Sequence, residues 1–314
     1  MPRHPRTTLF CVLVGLLCLT TACSLPTSTP VPTATAAPTL SPTSTSLGYV
    51  DVQDGDQLVR DIIPRIAREF ALSVPAVEAV LATPIASPLI AADLTDFRRL
   101  EGIPPPGRYP VVPGSDPTIL VRTWILAAED RYAELVAEAT SPNSLSDPDR
   151  LALASMVEAE CLANEHYDEV STVFQNRLAG KWLLRSCVTA EYALGFQRPY
   201  LTSADRKVAS PYDTYVTAGL PKGPICVVDD GSLRAAIARP LAQGIYYFYY
   251  DYLRDDMFFF TGDTTGYDAF HADATASRER YDAHSDVPSD AFVDKQVLFG
   301  HGPVDWMTWS YGSR

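Results

Sequence analysis

Two glutamates lie in a run that is otherwise small and apolar, Leu151-Ala-Leu-Ala-Ser-Met-Val-Glu-Ala-Glu160-Cys161. A helix of this composition is buried over much of its circumference, so each carboxylate in it needs a partner or a task. At about 100° per residue, Glu158 and Glu160 project about 200° apart and cannot line one cleft as a paired acid and nucleophile. One carboxylate at most faces a substrate from this helix. Glu160 falls within the arc of Leu153, Met156 and Val157, whereas Glu158 shares a side with Leu151 and Leu162. A carboxyl flanked by apolar groups keeps its proton to higher pH and can serve as a general acid. The competing reading is a structural ion pair for either glutamate, with Arg177 on the next helix as a partner.

Other chemistries find little support. The chain has five histidines, no HExxH, no paired CxxC, no GxxxxGK and no GxSxG. Metal, nucleotide and serine-hydrolase readings are therefore weak, and no metal or cofactor is expected. A formal charge of −13 argues against a nucleic-acid partner, which would need clustered Lys and Arg. Hydrophobic residues at 46% and aromatics at 10% are ordinary for a globular protein.

The elements that must position the glutamates follow from periodicity and breakers. A strand is expected over Tyr49–Val52, helices over Gln57–Phe70 and Val74–Ala82, a Pro-rich break over Ile103–Pro113, and a helix from about Thr118 to Glu138. Asp147 as N-cap and Pro148 in the first turn open the glutamate helix, which runs to about Ala163. Another helix covers Asp168–Leu178, and Ile245–Tyr252 pairs with Met257–Thr261 through Arg254-Asp255-Asp256 as a hairpin. Its aromatics invite a sugar-stacking reading, but a hairpin with one face in the core and one exposed explains them better.

Residues 1–22 read as an export signal: Arg3 and Arg6, then an apolar run from Leu9 to Leu19 that is too short for the roughly 20 residues of a membrane span. Thr20-Thr21-Ala22 before Cys23 resembles a lipobox, with Thr20 where an aliphatic residue is usual. Cys23 is thus the expected lipidation site. Residues 23–48, rich in Ser, Thr and Pro, form a tether that extends at about 3 Å per residue.

From Asp51 to His271 the chain resembles the endolytic murein transglycosylases, the MltG or YceG-like family. Leu153-Ala-Ser-Met-Val-Glu-Ala-Glu160 is similar to the family's Leu-Ala-Ser-Ile-Val-Glu-x-Glu, whose second Glu is catalytic. Leu100-Glu-Gly-Ile-Pro-Pro-Pro-Gly-Arg-Tyr109, Val173-Phe-Gln-Asn-Arg-Leu178, Glu191-Tyr-Ala-Leu-Gly195, Ser210-Pro-Tyr-Asp-Thr-Tyr215 and Gly219-Leu-Pro-Lys-Gly-Pro-Ile225 match further family segments in order. The resemblance implies a lytic transglycosylase of peptidoglycan glycan strands, leaving 1,6-anhydro-N-acetylmuramic acid ends. Its single carboxylate, Glu160, protonates the leaving oxygen and then accepts the proton of the sugar's own 6-hydroxyl. It also implies a glycan cleft lined by Asn176, Thr189, Tyr212, Thr214 and Tyr215. The fold class that follows is α+β: a small LysM-like module over residues 49–99, a YceG-like mixed α/β catalytic domain over 100–275 and an extension over 276–314. The expected location is the outer face of the bacterial cytoplasmic membrane, through a lipid anchor, with cell-wall synthases as partners.

The chain also departs from the family. Leu184-Arg-Ser-Cys-Val-Thr189 replaces Leu-Gln-Ser-Asp-Pro-Thr, Asp213 stands for the usual Asn, and Cys-Val-Val-Asp-Asp follows Ile225 where Ala-Asn-Pro-Gly is usual. The family's Glu-His pair survives only as Phe270-His271, and the hairpin's His is an aromatic, Phe258. In an exported chain Cys187 and Cys226 are expected to pair as a disulfide, the alternative being two buried thiols. Cys161 then stays unpaired, as a packing residue. Two other functions stay open: a glycan-binding relative without turnover, suggested by the altered 184–189 segment, and a hydrolytic muramidase using Asp205 or Asp213 as second carboxylate.

Overall fold

The computed structural model describes residues 47–161 and 166–292, all within one compact unit. The signal, Cys23 and most of the tether, with the last part of the C-terminal extension, lie outside the described residues.

The first elements are β1 (Gly48–Val52), a π-turn at Leu58–Ile62 leading into α1 (Ile63–Phe70), α2 (Val74–Leu81), and β2 (Gly107–Val111). β1 pairs antiparallel with β2, Gly48 opposite Val111 and Val52 opposite Gly107. This βααβ unit closes across the boundary expected at residues 99 and 100. Its apolar residues, Val50, Leu58, Ile62, Ile66 and Val77, belong to the same core cluster as Leu153 and Met156 of the glutamate helix.

The family-like segment at Leu100–Tyr109 is the joint. Glu101 is fully buried and accepts hydrogen bonds from Leu58 N–H (3.0 Å) and Tyr192 Oη (2.9 Å). Gly102, at φ +68°, could carry no Cβ, which would meet Pro224 Cβ at 2.7 Å and the Cys226 carbonyl at 2.8 Å.

The remaining helices are α3 (Thr118–Glu138), α4 (Asp147–Glu160), α5 (Tyr167–Ala179), α6 (Cys187–Leu194), α7 (Asp230–Ile237) and α8 (Thr264–His284). α4 packs against α5, α6 and α7, and every residue from Leu151 to Glu158 is buried. The cap differs from expectation by one position. Ser146, not Asp147, is the N-cap, its Oγ accepting from Asp149 N–H at 3.3 Å, with Pro148 in the first turn. The helix ends at Glu160 rather than near Ala163, because Cys161 leaves helical geometry at φ −99°, ψ 68°.

β3 (Ile245–Asp251) and β4 (Asp256–Thr261) form the expected hairpin. α8 packs on one side and α5 on the other, and most of the strand residues are half-buried. Tyr247 stacks on Phe270 at 5.2 Å, while Phe248 meets Phe174 edge-on at 5.7 Å. The extension expected from residue 276 begins inside α8, whose Tyr281 is buried and whose Arg280 pairs with the buried Asp251 at 2.7 Å.

Candidate active site

The two glutamates of α4 have opposite surroundings. Glu158 is buried, and its Oε2 accepts the Asp229 N–H at 2.9 Å, which sets it at the N-terminus of α7. Asp229 is the cap of that helix: its Oδ1 accepts from Ser232 N–H (2.7 Å) and its Oδ2 from Tyr167 Oη (3.0 Å). Burial pushes the Glu158 carboxyl up to about 7, opposed by the Asp229 N–H and the Ser232 hydroxyl and reinforced by the charges of Asp229 and Asp54. Glu158 therefore ties α4 to α7.

Glu160 is half-buried, and its Oε1 accepts a 2.6 Å hydrogen bond from Ser186 Oγ. The expected location within a buried apolar arc is replaced by a half-buried place at the helix end, bonded to Ser186 at the end of the 180–186 loop. That loop is held from behind by two fully buried threonines. Ser186 N–H donates to Thr214 Oγ1 at 3.0 Å, and Thr189 Oγ1 donates to the Ser186 carbonyl at 2.8 Å. The 2.8 Å contact between the two hydroxyls is then a donation from Thr214 to Thr189, whose single proton is already used. Every donor in this column has an acceptor, so the Ser186 hydroxyl is fixed toward Glu160.

Arg177 is the third component. It is buried, its Nε donates to the Tyr246 carbonyl at 2.7 Å and its Nη1 to the Leu184 carbonyl. Burial brings its pKa down to about 10, and the charge of Glu160 is among the influences that work the other way. Its identified donors go to main-chain carbonyls, so it acts as a clamp between the loop and β3, within the electrostatic reach of the carboxylate.

Of the residues expected to line a glycan cleft, Thr189 and Thr214 lie directly behind Ser186. Tyr215 is one step further, its Oη 3.1 Å from Cys187 Sγ, and burial pushes its phenol up. Asn176 donates both amide protons to the carbonyls of Gln243 (3.1 Å) and Ile245 (3.0 Å), fastening the start of β3. Tyr212 is buried against Tyr192 at 4.9 Å. Ser186 was not singled out from the sequence, although it and Thr189 are the polar residues that survive in the altered Leu184–Thr189 segment.

The expected disulfide is absent. Cys187 and Cys226 are not bonded to each other: Cys187 Sγ lies 3.1 Å from Tyr215 Oη, and Cys226 Sγ donates to the Ser155 carbonyl at 3.3 Å beneath α4. Cys161 is a free buried thiol.

Residues 36–272 match the model of the YceG-like family. The chain is 30% identical over 151 residues to the endolytic murein transglycosylase of Bacillus subtilis (strain 168), covering 47% of this chain and 41% of that protein. It is 28% identical over 154 residues to the endolytic murein transglycosylase of Streptococcus pneumoniae (strain ATCC BAA-255 / R6), covering 48% and 28%. The chain thus spans less than half the length of these curated relatives. A crystal structure of a YceG-like protein from Listeria monocytogenes superposes with a TM-score of 0.60 at 23% identity, over 70% of this chain and 75% of that one, which speaks for the fold alone. With well over half of its length matched by the family model, the chain belongs to the YceG-like family.

Proposed function

We propose that this protein is an endolytic lytic transglycosylase that cuts peptidoglycan glycan strands and leaves 1,6-anhydro-N-acetylmuramic acid ends, with Glu160 as its single acid and base. The observation that carries the reading is the separate placement of the two glutamates of α4. Glu160 stands half-exposed at the end of a buried helix, oriented by Ser186, while the nearby carboxylate of Glu158 is engaged at α7. A reaction in which the substrate supplies its own nucleophilic hydroxyl needs one carboxylate, first as acid toward the leaving oxygen and then as base toward that hydroxyl. The 2.6 Å bond from Ser186 fixes which oxygen of Glu160 meets the substrate.

A hydrolytic muramidase would need a second carboxylate to activate water. Asp205 and Asp213 are poorly suited: Asp205 accepts from Thr202 N–H and Oγ1 and pairs with Arg198 at 3.3 Å, and the fully buried Asp213 accepts from Val208 and Tyr215 N–H. The binding-only reading rests on the altered 184–189 segment, yet Ser186 and Thr189 keep a complete set of bonds there. The rest of the proposal is topographic: a lipid anchor at Cys23 on the outer face of the cytoplasmic membrane, a LysM-like role in glycan contact for the βααβ unit, and cell-wall synthases as neighbours.

Mass spectrometry of glycan strands after incubation with the protein tests the reaction. Anhydro ends are expected, and they should vanish in Glu160→Gln while thermal stability stays within a few degrees of the parent. Reducing ends would establish hydrolysis instead, and undiminished turnover in Glu160→Gln would remove the mechanism.

A further inference from the structure

Trp182 is 40% exposed, unusual for a residue held in so determined a setting. The loop that carries it has two non-glycine residues in the left-handed region, Lys181 at φ +58° and Arg185 at φ +50°. Each such conformation costs on the order of 1 kcal/mol and persists where surrounding bonds over-determine it. Those bonds are identifiable. Trp182 N–H donates to the Arg177 carbonyl at 2.8 Å, Arg177 Nη1 holds the Leu184 carbonyl, and Arg185 N–H donates to the Thr214 carbonyl at 3.1 Å.

The indole does not lie loose on the surface. Its ring centroid is 4.9 Å from that of Tyr246 and 6.0 Å from that of Tyr247. Consecutive strand residues normally face opposite ways, but the register shifts between Ile245 and Tyr247, and this bulge brings both rings to one indole. Gly262, just past β4, makes room for Tyr246, since a Cβ there would lie 2.5 Å from the Tyr246 ring. Arg177 Nε fixes the Tyr246 carbonyl, so one buried guanidinium locks both the loop and the bulge that form the aromatic surface.

The same loop ends on Ser186, whose hydroxyl orients Glu160. Ser186 lies four residue steps after Trp182, a span of at most about 14 Å. A rigid, partly exposed aromatic surface is thus mechanically continuous with the catalytic carboxylate.

We propose that Trp182, backed by Tyr246, is the stacking surface for a pyranose ring of the glycan strand, beside the bond cut at Glu160. The axial C–H bonds of a pyranose make an apolar face that covers the electron-rich face of an indole, while the ring hydroxyls stay hydrated. The inference rests on the glycan-cleaving reading above and adds to it the element that grips a sugar away from the reacting bond.

The test compares the parent chain with Trp182→Ala and Trp182→Phe, by the release of anhydro ends as a function of strand concentration and by equilibrium binding of glycan strands in a Glu160→Gln background. Trp182→Ala is expected to raise KM and Kd about tenfold with a smaller change in kcat, and Trp182→Phe, which keeps an aromatic face, to recover most of the loss. Unfolding midpoints show whether Trp182→Ala folds, and if it does not, Trp182→Phe and Tyr246→Leu carry the comparison. KM and Kd unchanged in a folded Trp182→Ala, or a fall in kcat alone, would overturn the stacking role while leaving the transglycosylase reading intact. Failure of the parent chain itself to bind or cut strands would overturn both.

Discussion

Replacing Glu158 by glutamine removes a buried charge while keeping an oxygen that can accept the Asp229 N–H. In the folded chain burial raises this carboxyl from 4.5 to about 7, with Asp229 and Asp54 adding repulsion. Such a rise corresponds to roughly 3 kcal/mol, at about 1.4 kcal/mol for each tenfold change in proton affinity. The sign follows from proton binding. Between the two values the folded chain holds a proton that the unfolded chain has released, so this group's contribution to stability is complete below about pH 4.5. It declines as pH rises and is lost above about pH 7. The groups that share its surroundings are Asp54, Asp229 and Ser232, with Tyr167 bonded to Asp229 and Arg131 paired to Asp230 at 2.6 Å. Of these, Asp54 is also raised, mainly by burial and then by the charge of Asp229, so it adds to the slope in the same direction. Urea unfolding of parent and Glu158→Gln at pH 5, 6, 7 and 8 gives the difference between them directly. The variant should gain on the parent by roughly 2 to 3 kcal/mol from pH 5 to pH 8, and a pH-independent packing difference cancels from that comparison. Parallel stability curves would refute the buried, unpaired-charge description of Glu158.

Two further outcomes test the site. Ser186→Ala removes the 2.6 Å bond to Glu160 and leaves the Ser186 main-chain bonds to Thr189 and Thr214 in place. It should lower kcat about tenfold, the worth of one charge-assisted hydrogen bond, with KM little changed; an unaltered kcat would show that the serine does not orient the carboxylate. Thiol titration of the folded-region cysteines, done in denaturant without reductant, should find Cys161, Cys187 and Cys226 all reactive. Loss of two of those signals, restored by reductant, would reinstate the disulfide.

The parts of the fold that were legible in the sequence are those fixed by local pattern. The bounds of α3 coincide with the run from Thr118 to Glu138, and the hairpin follows from two aromatic runs joined by Arg254-Asp255-Asp256. What escaped was set by contacts far along the chain. β1 finds its partner at Gly107–Val111 only after two helices and a Pro-rich loop, so the boundary that the resemblance implied near residue 100 falls between paired strands. α8 carries polar residues along most of its length and touches the core through few side chains, so no apolar stripe announced it, and the hairpin face it covers looked open. Helix geometry did separate the two glutamates, but it could not tell which was deeper. That depended on where α4 stopped and on the Asp229 N–H, contributed from 71 residues away.

The separation of duties within α4 follows from that same geometry. A carboxylate that must exchange a proton with substrate has to be reachable, and a helix buried from Leu151 to Glu158 offers reach only at its end. The end of a helix is also where the chain is least constrained, since its last carbonyls lack intrahelical partners. Here the constraint is supplied from both sides of Glu160. Two residues earlier, Glu158 anchors the helix to the cap of α7, and across the gap the Ser186–Thr189–Thr214 column holds the carboxylate itself. In the proposed reaction Glu158 contributes by position alone, at a stability penalty above neutral pH. That predicts a separation in kinetics: Glu158→Gln, with its Asp229 bond kept, should retain turnover, whereas Glu158→Ala, which leaves the Asp229 N–H without its acceptor, should lose both stability and kcat. Equal turnover in the two variants would mean that the anchor does not position Glu160.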